Sequence, residues 1–595
     1  MNHSDEKHQY SSLYLEVCSR NEEPRLPLHT SIVLFLLSYC ECKSFKVFLV
    51  STKPASSQSL KSQLPESLDV SDTHLEFLPQ LVRGCRLPAV LDETGQLCRA
   101  GLAVVLRHII NKTLEADPSR NDVLALLGFK KTCLKACAEV SKWTRLCEID
   151  IPSAVEKHLQ NSTHQYQHPP PSILTLERRL AEPVKVHNDD KIRRQKLQEQ
   201  RRNEEDKSSE GKQHVDTESK AAQSPQVYDG LELRAALAKL SVNSVPALTT
   251  RENSEIRKVK TTDLPLLEHV FAEGLYFTLT DVVLLPCIYQ YLCSLQVHAA
   301  STLHQLPCLL RWYSHVQEVP GVLRAAKTCG MALSVPQFPT VSLPGTSAED
   351  NSASILEQEE NQEMISQSPF VGGPRPTMTK LKENGIKAAF TPHPCPAWTL
   401  PWDSLPRAIN PTEGKMSNIR AVRKQEQLNN LVAMVAQLAK PGYTIVDFCS
   451  GTGHVGIVVA HSLPDCQVIL IENKEESLVR AQSRTRELGL KNINFIQANL
   501  DYFTGPFHIG EHMILCRFAD QTGFQLPPER RLIGKECMGL VDLDRSWAAE
   551  TRGYSVKVMT MEPESCSPKN NMLTGWPVQK SGGKVTAGQL EGTST

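Results

Sequence analysis

The chain has no CxxC pair. Its eighteen cysteines are scattered, and Cys40/Cys42 and Cys133/Cys137 are the closest spacings. A structural zinc site wants tightly paired thiolates and a disulfide framework wants a short secreted domain, so the thiols read as buried or idle and no metal site is expected. No apolar run is long enough to span a bilayer: Ser31 to Tyr39 is far too short. The segment Met1 to Tyr10 is polar and lacks the apolar core of a secretory signal. The expectation is a soluble, cytoplasmic protein with no membrane partner. An excess of either charge is also missing. Lys+Arg is 65 and Asp+Glu is 66, giving a net charge of −1. The whole chain therefore has no electrostatic preference for nucleic acid, and any basic patch must be local.

What is present begins with length. A chain of 595 residues exceeds what one core can serve, so several domains are expected. The most informative stretch is Thr444-Ile445-Val446-Asp447-Phe448-Cys449-Ser450-Gly451-Thr452-Gly453-His454-Val455-Gly456. An apolar run ends in a carboxylate and breaks into glycines. A helical run follows, then a second apolar run, Val468 to Ile471, that ends in Glu472. Strand, glycine turn, helix, strand with an acidic tip is the layout of a mononucleotide-binding half of a parallel α/β sheet. Gly451, Gly453 and Gly456 also satisfy a dinucleotide fingerprint. The carboxylate four residues ahead of the first glycine weighs against a pyrophosphate and suits an aminoacyl cation. A ligand-free structural fold is the third alternative.

Upstream, Leu13 to Val17 and Phe45 to Val50 read as strands around a buried helix, Thr30 to Tyr39. Pro88 to Cys98 reads as a hairpin, and Ala100 to Asn111 as a helix with apolar residues at 102, 105, 106, 109 and 110. This β-α-β, β-β-α order is thioredoxin-like. The run from Asp189 to Lys207 is dense in both charges, a solvated linker or exposed helix, or an arm whose Arg193, Arg194, Arg201 and Arg202 face phosphates. Thr278 is placed to cap a helix, Val282 to Leu295, with Asp281 reaching back. Trp312 and Tyr313 read as helical core. A helix from Asn418 to Leu438 leads into the glycine unit.

The N-terminal half resembles a glutathione S-transferase, through Leu87-Pro88-Ala89-Val90-Leu91, Thr278-Leu279-Thr280-Asp281, and Pro307 with Leu310-Arg311-Trp312-Tyr313 and Pro320. The resemblance implies a cis proline before the hairpin and a capping box that nucleates a core helix. It also implies a hydroxyl just after the hairpin to hold glutathione, where this chain has Cys98-Arg99. The catalytic residue belongs at the end of the first strand, near which Tyr14, Cys18 and Ser19 lie without a convincing context. Docking or dimerisation through this half is expected rather than glutathione conjugation.

The C-terminal unit resembles a class I S-adenosylmethionine-dependent methyltransferase, through Asp447-x-Cys449-Ser450-Gly451-x-Gly453, Glu472, and Asn494 to Asn499. The resemblance implies S-adenosylmethionine held by Asp447, Cys449, Ser450, Gly451, Gly453, Glu472 and Asn499. Asp447 would take the ammonium, Glu472 the ribose hydroxyls and Asn499 the adenine amine. The glycines would let the backbone approach where a Cβ would collide with the ligand. The methyl acceptor would be RNA or protein, and no catalytic residue is assigned. Proteins of this type carry a His-Ala-Cys-Gly segment at the fourth strand and Cys-Pro-Cys-Cys-Tyr-Gly at the fifth. Here Phe507-His508-Ile509-Gly510 runs straight into Glu511-His512-Met513, as if a piece were spliced out. After the third strand, only Ser555 to Met559 and a partner near Asn571 to Leu573 read as strands, so a form that is inert or poorly folded at its C-terminus is expected.

The fold class expected is multidomain α/β and α. A thioredoxin-like, glutathione-transferase-like helical module precedes an incomplete Rossmann-like methyltransferase sheet. The expected spans are 10–112 thioredoxin-like, 113–160 with 262–332 helical, and 161–261 a disordered polar insert. A linker covers 333–376, the truncated methyltransferase-like domain 415–575, and a disordered tail 576–595. His454 is a ligand contact or an exposed turn residue. Cys449 is a nucleophile or a small residue fitted to a crowded strand end. Arg420, Arg423 and Lys424 face a phosphate or solvent.

Overall fold

The structure, a computed structural model, describes residues 10–20, 23–51, 60, 62–128, 146–160, 169–184, 192–201, 232–233, 237, 259–295, 302–334, 374–414, 417–498 and 525–578. The chain divides into two compact units, Met1–Val341 and Ser342–Thr595.

The first unit opens with β1 (Ser11–Glu16), α1 (Leu28–Cys40) and β2 (Phe45–Ser51). Then come β3 (Asp69–His74), β4 (Ala89–Leu91), β5 (Leu97–Ala100) and α2 (Leu102–Ala116). Strand order in its sheet is β3-β2-β1-β4-β5. The first three strands run parallel, and β4 and β5 turn back antiparallel. Alternation drives β1 and β2: Leu13 and Leu15 pair with Val47 and Leu49, and all four are buried. Helix α1 has no polar stripe from Ile32 to Leu37. It is buried all round, between the sheet and the helices behind it. The peptide Leu87–Pro88 is cis, just before β4. Strand β3 was not foreseen, because Asp69-Val-Ser-Asp-Thr-His carries one apolar residue and is held by its ladder to β2.

Behind α1 pack α3 (Ile151–Gln160), α4 (Pro171–Ala181), α5 (Leu279–Ser294), α6 (Pro307–Gln317) and α7 (Val322–Thr328). Two helix starts are satisfied by distant carboxylates. Glu156 on α3 accepts from Leu28 N–H (3.0 Å), and Glu177 on α4 accepts from Cys308 and Leu309 N–H (2.9 and 2.7 Å). The predicted cap at Thr278 is present. Asp281 accepts from the N–H groups of Thr278 and Ala272, both at 2.8 Å, and from Trp312 Nε1 at 2.7 Å. Burial pushes its carboxyl up to about 7 against those three donors.

Helix α4 corrects the reading of 161–261 as a polar insert. Ile173, Leu176 and Leu180 lie on one face and are buried. Three prolines stand at 169–171, at the start of this helix, and Pro171 sits in its first turn, where its missing N–H costs nothing. Residues 192–201 are helical, one of the readings the charged run allowed. Arg193 donates to the carbonyls of Leu264 and Pro265 (2.6 and 3.0 Å), which removes it from a phosphate-facing arm.

The second unit contains α8 (Pro374–Glu383), α9 (Asn418–Leu438), β6 (Thr444–Phe448), α10 (His454–Ser462), β7 (Gln467–Glu472), α11 (Glu475–Glu487) and β8 (Ile493–Gln497). A long α12 (Pro528–Glu550) and the strands β9 (Tyr554–Thr560) and β10 (Asn571–Pro577) follow. The order β8-β7-β6 is parallel throughout, with helices between strands, the βαβ arrangement of a Rossmann-like fold. Strands β9 and β10 form a separate antiparallel ribbon, at the two places the sequence pointed to. Helix α12 was missed because charge interrupts its apolar stripe. It buries Cys537, Leu540 and Val541 against Met378 of α8. Gly539 lets α12 lie against the segment after α8, since a Cβ there would stand 2.6 Å from Phe390 Cζ and 2.8 Å from Ala388 Cβ.

The suspected junction at 507–513 lies outside the described residues. Among those described in this unit, β6 has a neighbour on one edge only, and Val446 and Phe448 are 39% and 57% exposed. No helix among the described residues is long and apolar enough to cross a membrane. No cluster of three or more His, Cys, Asp or Glu among them could hold a metal ion.

Candidate functional site

Strand β6 runs out at Asp447-Phe448, and the chain then turns through left-handed backbone. Cys449, Gly451 and Gly453 have φ of 55°, 57° and 75°. Glycine accepts this freely, whereas Cys449 takes it at a steric cost. The turn delivers the chain into α10, whose N-cap is Gly453.

Two carboxylates brace the turn from adjacent strand ends. Asp447 Oδ2 accepts from Gly456 N–H at 2.9 Å. Glu472, at the end of β7, accepts from Gly451 N–H through Oε2 and from Lys474 N–H through Oε1, both at 2.9 Å. Burial raises the Asp447 pKa, the Gly456 bond and Lys424 oppose this, and the charge of Glu472 adds to it. Ser450 N–H donates to Ile471 O at 3.1 Å and ties the turn to β7. Its hydroxyl is buried without a partner.

The glycines differ in kind, which corrects the sequence rationale for them. A Cβ on Gly453 would stand 2.7 Å from Leu470 Cδ2, and one on Gly456 2.5 Å from Leu470 Cδ1. Those two let α10 pack on β7. A Cβ on Gly451 would meet nothing within 4 Å. Gly451 alone faces open space and leaves room for a ligand.

His454 is buried, so it is not an exposed turn residue. Its Nδ1 lies 3.2 Å from Nη1 of Arg484. An arginine can only donate, so Nδ1 accepts and the ring proton sits on Nε2, a buried atom without a partner. Burial and the Arg484 charge push the imidazole down to about 3. Arg484, itself buried, also donates to the carbonyls of Ala408 (2.8 Å), Thr452 (3.0 Å) and Ile409 (3.1 Å). It latches the glycine turn to the segment before α9. The sequence held one signal for it: Arg484 continues the apolar stripe of α11 after Leu478 and Ala481.

Lys424, read as solvated or phosphate-facing, is half-buried. Its ammonium lies within electrostatic reach of Asp447 and His454, and desolvation lowers its pKa. Arg420 is exposed. Cys449 is exposed, so the strand end around it is not crowded. Asn499 lies outside the described residues.

Comparison with known proteins adds three findings. A family model described as a methyltransferase domain matches residues 439–505, which span β6 to β8. A protein of Xenopus laevis, described as a glutathione S-transferase C-terminal domain-containing protein, is 54% identical, with 95% of this chain and 99% of that one covered. A Homo sapiens protein of the same description is 51% identical over 95% and 98%. The first alignment runs over 628 positions, more than the 595 residues of this chain, so that relative carries residues this chain lacks. Among solved structures, magnesium protoporphyrin IX methyltransferase of Synechocystis, crystallised with S-adenosylmethionine, is 15% identical over 27% of this chain and 84% of that one. Its TM-score of 0.18 is too low to carry a conclusion.

Proposed function

This chain belongs to the family of glutathione S-transferase C-terminal domain-containing proteins, and we propose that its methyltransferase domain binds S-adenosylmethionine at the tips of β6 and β7. The observation that carries this is the pair Asp447 and Glu472, on neighbouring parallel strand ends, flanking a left-handed turn in which Gly451 opens onto free space. Asp447 supplies an anion for the aminoacyl ammonium. Glu472 uses each oxygen for one backbone N–H, and each keeps a lone pair for a ribose hydroxyl. Gly451 admits the ligand to the backbone, and Asn499 is assigned the adenine amine. Once bound, the cofactor carries an electrophilic methyl group on sulfur. The chain's own task is to position it and exclude water, which needs no general base. RNA or protein is the acceptor class.

A second reading, that this form binds the cofactor without turning over, is favoured by the exposure of β6. A first strand in a parallel sheet is ordinarily covered on both faces, and here Val446 and Phe448 are not. The first unit serves in either reading as a glutathione-transferase-like docking or dimerisation module. Its cis Leu87–Pro88 and the Thr278–Asp281 cap support the fold. Against conjugation, Cys98 is buried in β5 and Tyr14 is stacked on Phe48 within the sheet, 5.1 Å between centroids.

Photocrosslinking of radiolabelled S-adenosylmethionine to the full chain tests the proposal, with Asp447→Ala losing the label. Ligand at 100 times its Kd should stabilise the protein by about 2.7 kcal/mol. No thermal shift at saturating cofactor overturns it. Methyl transfer above background to RNA or protein removes the second reading.

A further inference from the structure

The spacing of the cysteines makes them look idle, but the fold brings two of them into contact. Cys98 Sγ donates to Cys85 Sγ across 3.9 Å, although thirteen positions separate the residues. Both thiols are free. Cys98 is fully buried and fixed in β5, where it pairs with Leu91 of β4. Cys85 follows the short helical turn Gln80–Arg83 and is half-buried, between the exposed Gly84 and Arg86. One sulfur thus reaches solvent while the other stands behind it. The hydrogen bonds divide their roles. Neutral Cys85 donates to Leu81 O at 3.2 Å and accepts from Cys98. Once Cys85 ionises, the bond from Cys98 becomes charge-assisted and stronger, which favours the thiolate. That bond accordingly lowers the Cys85 pKa, with burial opposing, whereas donating it, and then burial, raise that of Cys98.

We propose that Cys85 and Cys98 form a redox-responsive dithiol whose substrate is a hydroperoxide, with Cys85 the attacking thiol and Cys98 the resolving one. The Cys85 thiolate attacks one peroxide oxygen and the O–O bond breaks. Cys85 becomes a sulfenic acid, and the hydroxide that leaves takes up a proton as water. The Cys98 sulfur then attacks the Cys85 sulfur and the S–O bond breaks. The hydroxyl leaves with the Cys98 proton as a second water. Two thiols are oxidised to one disulfide and one peroxide is reduced. The sulfurs must close from 3.9 Å to about 2 Å. That movement falls to the Cys85 segment, because β5 is held by its ladder to β4. The pair lies in the first unit and owes nothing to the cofactor reading of the second.

Peptide mapping tests this on the full chain, treated with equimolar hydrogen peroxide, alkylated and digested without reduction. A peptide pair joined through Cys85 and Cys98 should appear, lighter by two hydrogen atoms than its reduced parts and released by dithiothreitol. It should form before the exposed Cys18 and Cys293 lose their alkylation. Cys98→Ala should strand Cys85 as a sulfenic acid that dimedone labels, and Cys85→Ser should leave the buried Cys98 unlabelled. If Cys18 and Cys293 are oxidised while no bond joins Cys85 to Cys98, the inference fails, and this wild-type result decides the matter even where a variant does not fold. Dimedone on Cys98 in Cys85→Ser, as readily as on Cys85 in Cys98→Ala, would overturn the assigned roles.

Discussion

Replacing Arg484 with methionine should unlatch the glycine turn. The side chain keeps its volume, so packing on α11 is retained and the loss is polar. The guanidinium donates to three carbonyls and to His454 Nδ1. Ala408 and Ile409 are 2% and 0% exposed, so their carbonyls have no water to turn to, whereas Thr452 is partly exposed. A buried acceptor left without a donor costs about 1–3 kcal/mol, and relief from desolvating a buried cation offsets part of this, leaving about 3 kcal/mol. The loss is local to the turn. Hydrogen exchange on the full chain, read peptide by peptide, should find the amides of Gly453, Gly456 and Ile457 exchanging about 100-fold faster at that cost. The His454 imidazole should move up from about 3 as the neighbouring cation leaves. Lysine at 484 should recover a fraction only, because a single ammonium cannot span carbonyls in fork geometry. Exchange within threefold of wild type at those amides would refute the latch.

Three further outcomes are expected. Gly453→Ala should cost about 2–4 kcal/mol in urea denaturation, from positive φ and a Cβ against Leu470, while Gly451→Ala should cost about 1 kcal/mol and spare the fold but not ligand binding. Equal costs at the two glycines would contradict the packing account. Asp281→Ala strands the Thr278 and Ala272 amides and the Trp312 indole, and should lower the stability of the first unit by about 3–5 kcal/mol. A thermal midpoint unmoved by that change would sink it. His108, buried against the Phe45 ring, is pushed down to about 3 by burial first and then by Arg99 and Lys112. The unfolded chain takes up a proton below about pH 6.5 that the fold refuses, so stability is full above that pH and falls as the solution is acidified toward 3. His108→Phe removes this term, so its stability relative to wild type should rise by about 1.4 kcal/mol per unit of acidification below 6.5. A difference independent of pH would exclude it.

Where periodicity and local chemistry agreed, the sequence could be read directly. The alternation of Leu13 and Leu15, the unbroken apolar face of α1, and the Thr278–Asp281 spacing all lead to the observed elements. The acidic strand ends of β6 and β7 were legible for the same reason, since a run of apolar residues closing on a carboxylate leaves few alternatives. What escaped depends on contacts remote in sequence. The sequence of β3 gives it almost no side-chain pattern, and only its ladder to β2 holds it. The prolines at 169–171 hid the start of α4, whose Glu177 satisfies a helix more than a hundred residues away. Lys424 and Arg484 look like ordinary surface cations until the fold brings them beside the turn. Gly451, Gly453 and Gly456 form one motif on paper, and only the positions of Leu470 and Ala481 separate packing from openness.

Among the described residues β6 has no strand on its outer edge, and that edge bears on how the protein behaves in solution. A short strand that offers its backbone N–H and C=O groups, with Phe448 beside them, is a template for a second copy. Self-association by that route would join two chains through the strand that carries Asp447. Nucleoside-binding capacity per mole should then decline with concentration, in step with growth in particle size. Dilution, or an added charge at Val446, should restore it.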